Sequence, residues 1–436
     1  MNPACYALRA RWVIPVAAAP IEGGVVTIRD GKIAGVARLA DADVATGDLI
    51  DLGDVALLPG FVNAHTHLEF SDLAAPLGHC GIDFCGWVPL VAAERRRAGR
   101  DADVAVRAGM GESARYGVTA IGEIAQRDWS PDAIESVPLA VNVYLELIGL
   151  AADRVDELCA SARQHVDRVP PPNVRWRTGV SPHAPYSVHF DVVRRMADLP
   201  LAMHVAESRE ELELLATATG AIRDMLVGFG VWRDDVFGGK VFGGKKPVDF
   251  LRAMAGGVNC SPTKATTLVV HGNYLDAEAM DFLAAADQPM YVVYCPRTHA
   301  YFGHEPYPLA ELLRRDIPVA IGTDSRASNP DLSVLAELRY VAEQFPAIPL
   351  ERILAMGTTV GAAALMRGDE CGSIEVGKTA DLVAVWLDGC LGGGELGRNA
   401  GAIEQVFHSR GDVVATVAAG KVVYDPHGLI RRVAMG

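Results

Sequence analysis

The chain is 436 residues long, half of them hydrophobic, with a formal net charge of −14 at pH 7. That length accommodates one large barrel plus a smaller module, and the acidic balance argues against a nucleic-acid binder, which presents a basic surface. The apolar runs ("VALLPGFV", "TLVVHG", "YVVYC") are broken by Gly, Pro or His and fall short of the roughly 18 residues a membrane span needs. Eight cysteines without a CxxC pair point to reduced thiols. With no signal-peptide layout visible, a cytoplasmic protein without a membrane anchor is expected.

Residues 1–57 read as short β segments, and Asp30-Gly31 in "GVVTIRDGKIAGVA" is a hairpin signal. The centre, residues 58–364, alternates strand-like runs ("GVTAIGEI", "LAVNVYLELIGL", "PLAMHVAES", "TTLVVHGNYL", "MYVVYCP", "PVAIGTDS") with helical ones such as "SREELELLATATG". Strands alternating with helices over roughly 300 residues predict a parallel sheet in an α/β fold, and the length suits a (β/α)8 TIM barrel. The basic run "ERRRAGR", 94–100, reads as a solvated helix face. The Gly/Lys-rich "VFGGKVFGGKK", 236–246, reads either as a surface loop or as a mobile lid over the barrel mouth. Residues 365–436 return to β texture in "GSIEVGKTADLVAVW" and "VVATVAAGKVVYD". The two ends are therefore expected to pair into one small β-sandwich domain beside the barrel.

Chemistry-bearing residues collect at the C-terminal ends of the barrel runs, where such enzymes carry their sites. His65 and His67 alternate in "FVNAHTHLEF", so on an extended strand they face one space, either to chelate an ion or to meet backbone carbonyls. Farther along come His183 in "SPHAPYS", His204 and Glu207 in "HVAES", His271 in "VVHGN" and Asp324 in "GTDS". A catalytic divalent ion needs a few N/O ligands and an open position for water, whose pKa it lowers. His65, His67, His204 and Asp324 are of the right types. Glu207, three residues past His204, is placed to carry a proton from water to a leaving group, with His271 polarising the reacting atoms.

The ordered set "PGFVNAHTHLE", "SPHAPYS", "HVAES", "VVHG" and "GTDSRASN" resembles the metal-dependent amidohydrolase superfamily, in the branch of cytosine, guanine and S-adenosylhomocysteine deaminases. The resemblance covers nearly the whole chain. It implies His65, His67, His204 and Asp324 as metal ligands, Glu207 as proton shuttle, His271 beside the hydrolytic water and His183 near the substrate's polar groups. It also implies a second role for Asp324, accepting a proton from that water. Two-metal members bridge their ions with a carboxylated lysine from a middle strand, and no lysine stands between Lys32 and Lys240 here. One divalent ion is expected, Zn²⁺ or else Fe²⁺.

The implied reaction is hydrolytic deamination of an adenine-type or related ring amine. The "HTHLEFS" form is similar to that of 6-aminodeoxyfutalosine deaminases of the alternative menaquinone route, whose substrate joins adenine, ribose and benzoate. S-adenosylhomocysteine, methylthioadenosine or guanine stand as alternative substrates, as does chlorohydrolase-type chemistry. A non-catalytic binding relative would have lost ligand residues that are all present here. The resembled barrels commonly form homo-oligomers. Two further residues bear on substrate choice. Glu69, two beyond His67, either hydrogen-bonds a ring N–H or ribose hydroxyl or makes a barrel-mouth salt bridge. Arg297 in "YCPRTHAYFGH" either forks onto a substrate carboxylate or forms a structural ion pair.

Overall fold

The computed structural model describes residues 5–42, 49–172, 174–237, 244–256, 265–387, 401–409 and 411–430. Eight parallel strands make its centre: β1 (Phe61–Thr66), β2 (Val118–Ala125), β3 (Ala140–Leu147), β4 (Trp176–Pro182), β5 (Leu201–Val205), β6 (Thr267–His271), β7 (Met290–Tyr294) and β8 (Val319–Ile321). Each pairs with the next. A parallel bridge between Thr66 and Asp324 joins the run after β8 to the end of β1 and closes the barrel. The expected (β/α)8 architecture is therefore observed.

These runs become central strands because both of their faces are covered. All eight residues of β2 are buried, as in a sheet packed on both sides. Ala64, Ala120, Ala202 and Ala320 share the barrel interior with Val62, Val270 and Val293, while a larger apolar cluster joins the outer faces to the helices. At Gly322 a Cβ would lie 2.9 Å from both the Cβ and the carbonyl oxygen of His65. The missing side chain lets the end of β8 approach β1.

Beside the barrel stand a four-stranded sheet (Lys32–Arg38, Gly24–Arg29, Cys5–Arg9, Leu49–Asp51) and a six-stranded sheet (Lys421–Tyr424, Val413–Ala418, Leu382–Trp386, Val55–Pro59, Trp12–Val13, Ile21–Glu22). Leu382–Trp386 runs antiparallel to Val55–Pro59, so segments from the two ends of the chain share one sheet. An apolar cluster including Leu8, Ile28, Leu57, Leu382 and Val417 holds this module together. Asp30 and Gly31 both have positive φ (51° and 75°) in the tight turn between Gly24–Arg29 and Lys32–Arg38, which their residue types allow. Arg175, just before β4, makes a partly buried bidentate pair with Asp381 and ties barrel to module.

Of the segment 236–246, residues 238–243 lie outside the described residues, and the loop-or-lid expectation lies there with them. Among the described residues no helix is long and apolar enough to cross a membrane.

Candidate active site

β1 ends at Thr66, so His65 lies on the strand and His67 just beyond it. Both still turn inward. The Nε2 atoms of His65 and His67 each stand 3.8 Å from Oδ1 of Asp324. His204, at the end of β5, brings its ring centroid to 5.0 Å from that of His65 and 5.5 Å from that of His67. The four side chains expected as metal ligands thus converge, and all are buried.

The fine structure of the cluster suits a cation. Nδ1 of His204 lies 2.8 Å from the carbonyl of His183. A carbonyl only accepts, so Nδ1 carries the proton and Nε2 keeps its lone pair. Both ring nitrogens of His65 and Nδ1 of His67 are buried without a hydrogen-bond partner among the described residues. Such atoms are costly unless something binds them. Burial, and then repulsion among the rings, holds His65 well below its usual pKa, and burial first does the same for His67 and brings His204 to about 3. These imidazoles are neutral, as ligation requires. Ser328 donates to Oδ2 of Asp324 at 3.1 Å, which leaves Oδ1 toward the histidines. Ligand atoms of His65, His67 and Asp324 lie within 4.8 Å of one another, as do those of His65, His204 and His271, and imidazoles with one carboxylate are the donor chemistry of a divalent ion such as zinc.

Glu207 and His271 face each other beside this cluster, His271 Nε2 standing 3.4 Å from Glu207 Oε1. Burial, then the nearby Asp324 and Glu211 carboxylates, pushes the Glu207 carboxyl well above the usual range. Asp324 is pushed up to about 7, chiefly by burial. Backbone strain gathers here: Ala206, His271 and Asp324 all have positive φ (54°, 67° and 56°).

A cavity of about 660 Å³ opens over the cluster, lined by His67, His183, His204, Glu207, His271 and Asp324 at its base. Phe84, Trp87, Val88 and Val91 of the helix Phe84–Arg95, with Tyr186 and Phe229, form an apolar wall. Arg95, Arg96, Arg154 and Arg233 also line it. A larger recess of about 1300 Å³ lies between Ile14 and Phe407, and none of the cluster lines it.

The residues expected to select substrate are placed unequally. His183 is in the cavity wall, its Nδ1 2.6 Å from the Ser187 hydroxyl and its Nε2 3.7 Å from Glu146. Glu69 is held in a salt bridge: it lies on the short turn Leu68–Phe70 and takes Arg95 at 2.8 Å and Gln126 at 3.1 Å. Arg297 is not brought to the cavity. Its Nε meets Glu337 at 2.6 Å and its Nη2 meets Asp331 at 2.6 Å, which is the ion-pair alternative. The 94–100 run departs from a solvated face. Arg95 and Arg100 turn inward to Glu69, and Arg96 lines the cavity, while Arg97 stays on the surface.

Sequence reasoning missed Arg95 and Glu146. Arg95 reaches Glu146 at 3.1 Å, and Gln126 binds the same carboxylate at 2.7 Å. The three arginines in a row were the available signal, but the helix ends at Arg95 and only the path of the chain beyond it shows which of them turn in.

Fold and cluster together define a barrel enzyme whose chemistry lies at the C-terminal end of a parallel sheet. Residues 56–423 match the Amidohydrolase family model, and the chain belongs to that family as a hydrolase acting on carbon–nitrogen bonds. It is 28% identical over 327 residues to the aminodeoxyfutalosine deaminase of Deinococcus radiodurans, covering 72% of this chain and 73% of that one. Identity to the 5-methylthioadenosine/S-adenosylhomocysteine deaminase of Moorella thermoacetica is 26% over 389 residues, covering 86% and 83%. The solved structure of Helicobacter pylori aminofutalosine deaminase with methylthio-coformycin shares the fold, with a TM-score of 0.76 at 23% identity over 96% of this chain and 99% of that one.

Proposed function

We propose that this protein is a single-metal hydrolytic deaminase of an adenine nucleoside whose arm ends in a carboxylate, with 6-aminodeoxyfutalosine the best-fitting substrate. His65, His67, His204 and Asp324 would hold the ion, zinc by the chemistry of the donors, which when bound supplies the Lewis acidity that makes water nucleophilic near neutral pH. Glu207 holds a proton at its raised pKa and passes it to the departing amine. His271, 3.4 Å from that carboxylate, would steady the attacking oxygen. His183, in the cavity wall, would meet a polar group of the substrate.

The cavity carries the reading. Its volume suits a drug-sized molecule rather than a lone base. Its wall is aromatic and aliphatic, and it includes four arginines on a chain of net charge −14. Of the four, Arg95 pairs with Glu69 and Glu146 and Arg154 with Glu157, which leaves Arg96 and Arg233 as the guanidiniums offered to an anion. The relatives named for aminodeoxyfutalosine and S-adenosylhomocysteine support the same class.

The test is ammonia release by zinc-replete enzyme on 6-aminodeoxyfutalosine, S-adenosylhomocysteine, methylthioadenosine and adenosine. The highest kcat/KM is expected on 6-aminodeoxyfutalosine, and Arg96→Gln with Arg233→Gln should lower it about tenfold while methylthioadenosine is unaffected. Equal turnover of methylthioadenosine would refute the carboxylate reading, and no ammonia from any of the four would refute deamination of adenine nucleosides.

A further inference from the structure

The sequence "SREE" after "HVAE" has the pattern of a capping box, in which the glutamate at the third helical position reaches back to the backbone N–H of the capping serine. Half of that box forms. The Ser208 hydroxyl accepts from the N–H of Glu211 and caps the helix Arg209–Thr217. The carboxylate of Glu211 goes elsewhere. Its Oε1 accepts from the N–H of Ala206 at 2.8 Å and its Oε2 from the N–H of Glu207 at 3.0 Å.

This placement serves the site more than the helix. Glu211 is fully buried and forms no ion pair among the described residues, an expensive position for a carboxylate. What it grips is the strained joint between His204 and Glu207. Ala206 is held at φ 54°, in the left-handed region that strains a residue with a Cβ. The same joint is tied from the turn after β6, since Tyr274 N–H donates to the Ala206 carbonyl at 3.0 Å and the Asn273 amide to the Glu207 carbonyl at 2.8 Å. With its backbone fixed on both sides, the Glu207 side chain is aimed at His271 and the cavity.

We infer that Glu211 is a positioning residue: through two backbone amides it holds the strained Ala206 joint and so sets where the Glu207 carboxyl stands. It rests on the reading of Glu207 as proton shuttle. Glu211 does not line the cavity and among the described residues its carboxylate bonds only the backbone of Ala206 and Glu207, so its removal should lower the rate of the chemical step and leave binding intact. A misplacement of order 1 Å costs about 100-fold in rate.

The experiment is a double-mutant cycle on zinc-loaded enzyme with the nucleoside that the wild type deaminates fastest. Glu211→Leu should lower kcat by about 100-fold, with KM within about threefold and bound zinc at the wild-type level. In a Glu207→Gln background the same substitution should lower kcat by less than about threefold, since the group it positions is already gone. Glu211→Gln keeps the shape and one acceptor oxygen; it should fall between the two and serves in place of the leucine variant if that does not fold. Equal losses in both backgrounds, a wild-type kcat for Glu211→Leu, or loss of zinc would each overturn the inference. Full activity in Glu207→Gln alone would overturn the shuttle reading and this one with it, and that single variant identifies the case.

Discussion

Replacing Arg297 with Met separates the two roles its sequence position allows. Its guanidinium makes bonds of 2.6 Å to Glu337 and of 2.6 and 3.1 Å to Asp331, and its own backbone N–H donates to Glu337 at 2.9 Å. The Glu337 side chain is fully buried, and after the substitution only Asn329 would remain on it as a side-chain donor, at 2.7 Å. Breaking one side of a buried pair costs about 3–5 kcal/mol. With an unfolding entropy near 2.1 cal/mol/K per residue, a chain of 436 residues shifts in Tm by about 1 °C for each kcal/mol. Arg297→Met should therefore melt about 3–5 °C lower. Adding Glu337→Gln removes the stranded charge and should restore about half of that loss. Thermal unfolding followed by circular dichroism reads both values, and KM should move equally for substrates with and without a carboxylate. An unchanged Tm together with a KM raised only for the carboxylate substrate would show that Arg297 binds substrate and that the ion-pair account is wrong.

His65→Ala should leave the protein folded but without its full equivalent of zinc, read by metal analysis after gel filtration, and without ammonia release. Arg367 is buried against the Asn142 side chain at 2.7 Å and the Arg175 carbonyl at 2.7 Å, at the end of the barrel away from the cavity. Arg367→Ala should lower Tm by about 3 °C or more with kcat unchanged; a fall in kcat at constant Tm would contradict the placement. Burial raises the pKa of Glu146, but Arg95, His183, His67 and Gln126 outweigh it and the net shift is downward. A depressed carboxylate contributes stability above its unfolded pKa and loses it as pH falls. The melting temperature of the wild type should accordingly drop below about pH 4.5 more steeply than that of Glu146→Gln.

The barrel was legible because its strands are short apolar runs separated by helical stretches, and because the polar residues stand at their ends. His65, His67, His204, Glu207, His271 and Asp324 could be picked out for the same reason: a strand end aims its last side chains at the mouth whatever the helices do. Substrate selection was harder to read. Glu69 and Arg297 both lie beside strand ends, yet their partners come from distant residues, Arg95 for one and Asp331 and Glu337 for the other. Nothing local distinguishes a guanidinium facing a ligand from one facing a carboxylate 40 residues later. Arg95 escaped notice for the opposite reason, since its charged neighbours made the whole run look solvated. Glu211 sits in a pattern that sequence reads as an ordinary helix cap, and only the distances to Ala206 and Glu207 show the different use.

The bridge from Thr66 to Asp324 joins residues 258 positions apart, where the Thr66 hydroxyl donates to the Asp324 carbonyl at 2.7 Å. His65 and Asp324 therefore come within reach of one another only when the first and last strands of the ring have met. An ion held by both would draw its donors across that same long separation, a non-local contact whose loop must close before it forms. Cation binding would then act as a clasp on the closed ring. The same linkage predicts that chelation loosens the seam between β8 and β1 before any other part of the barrel.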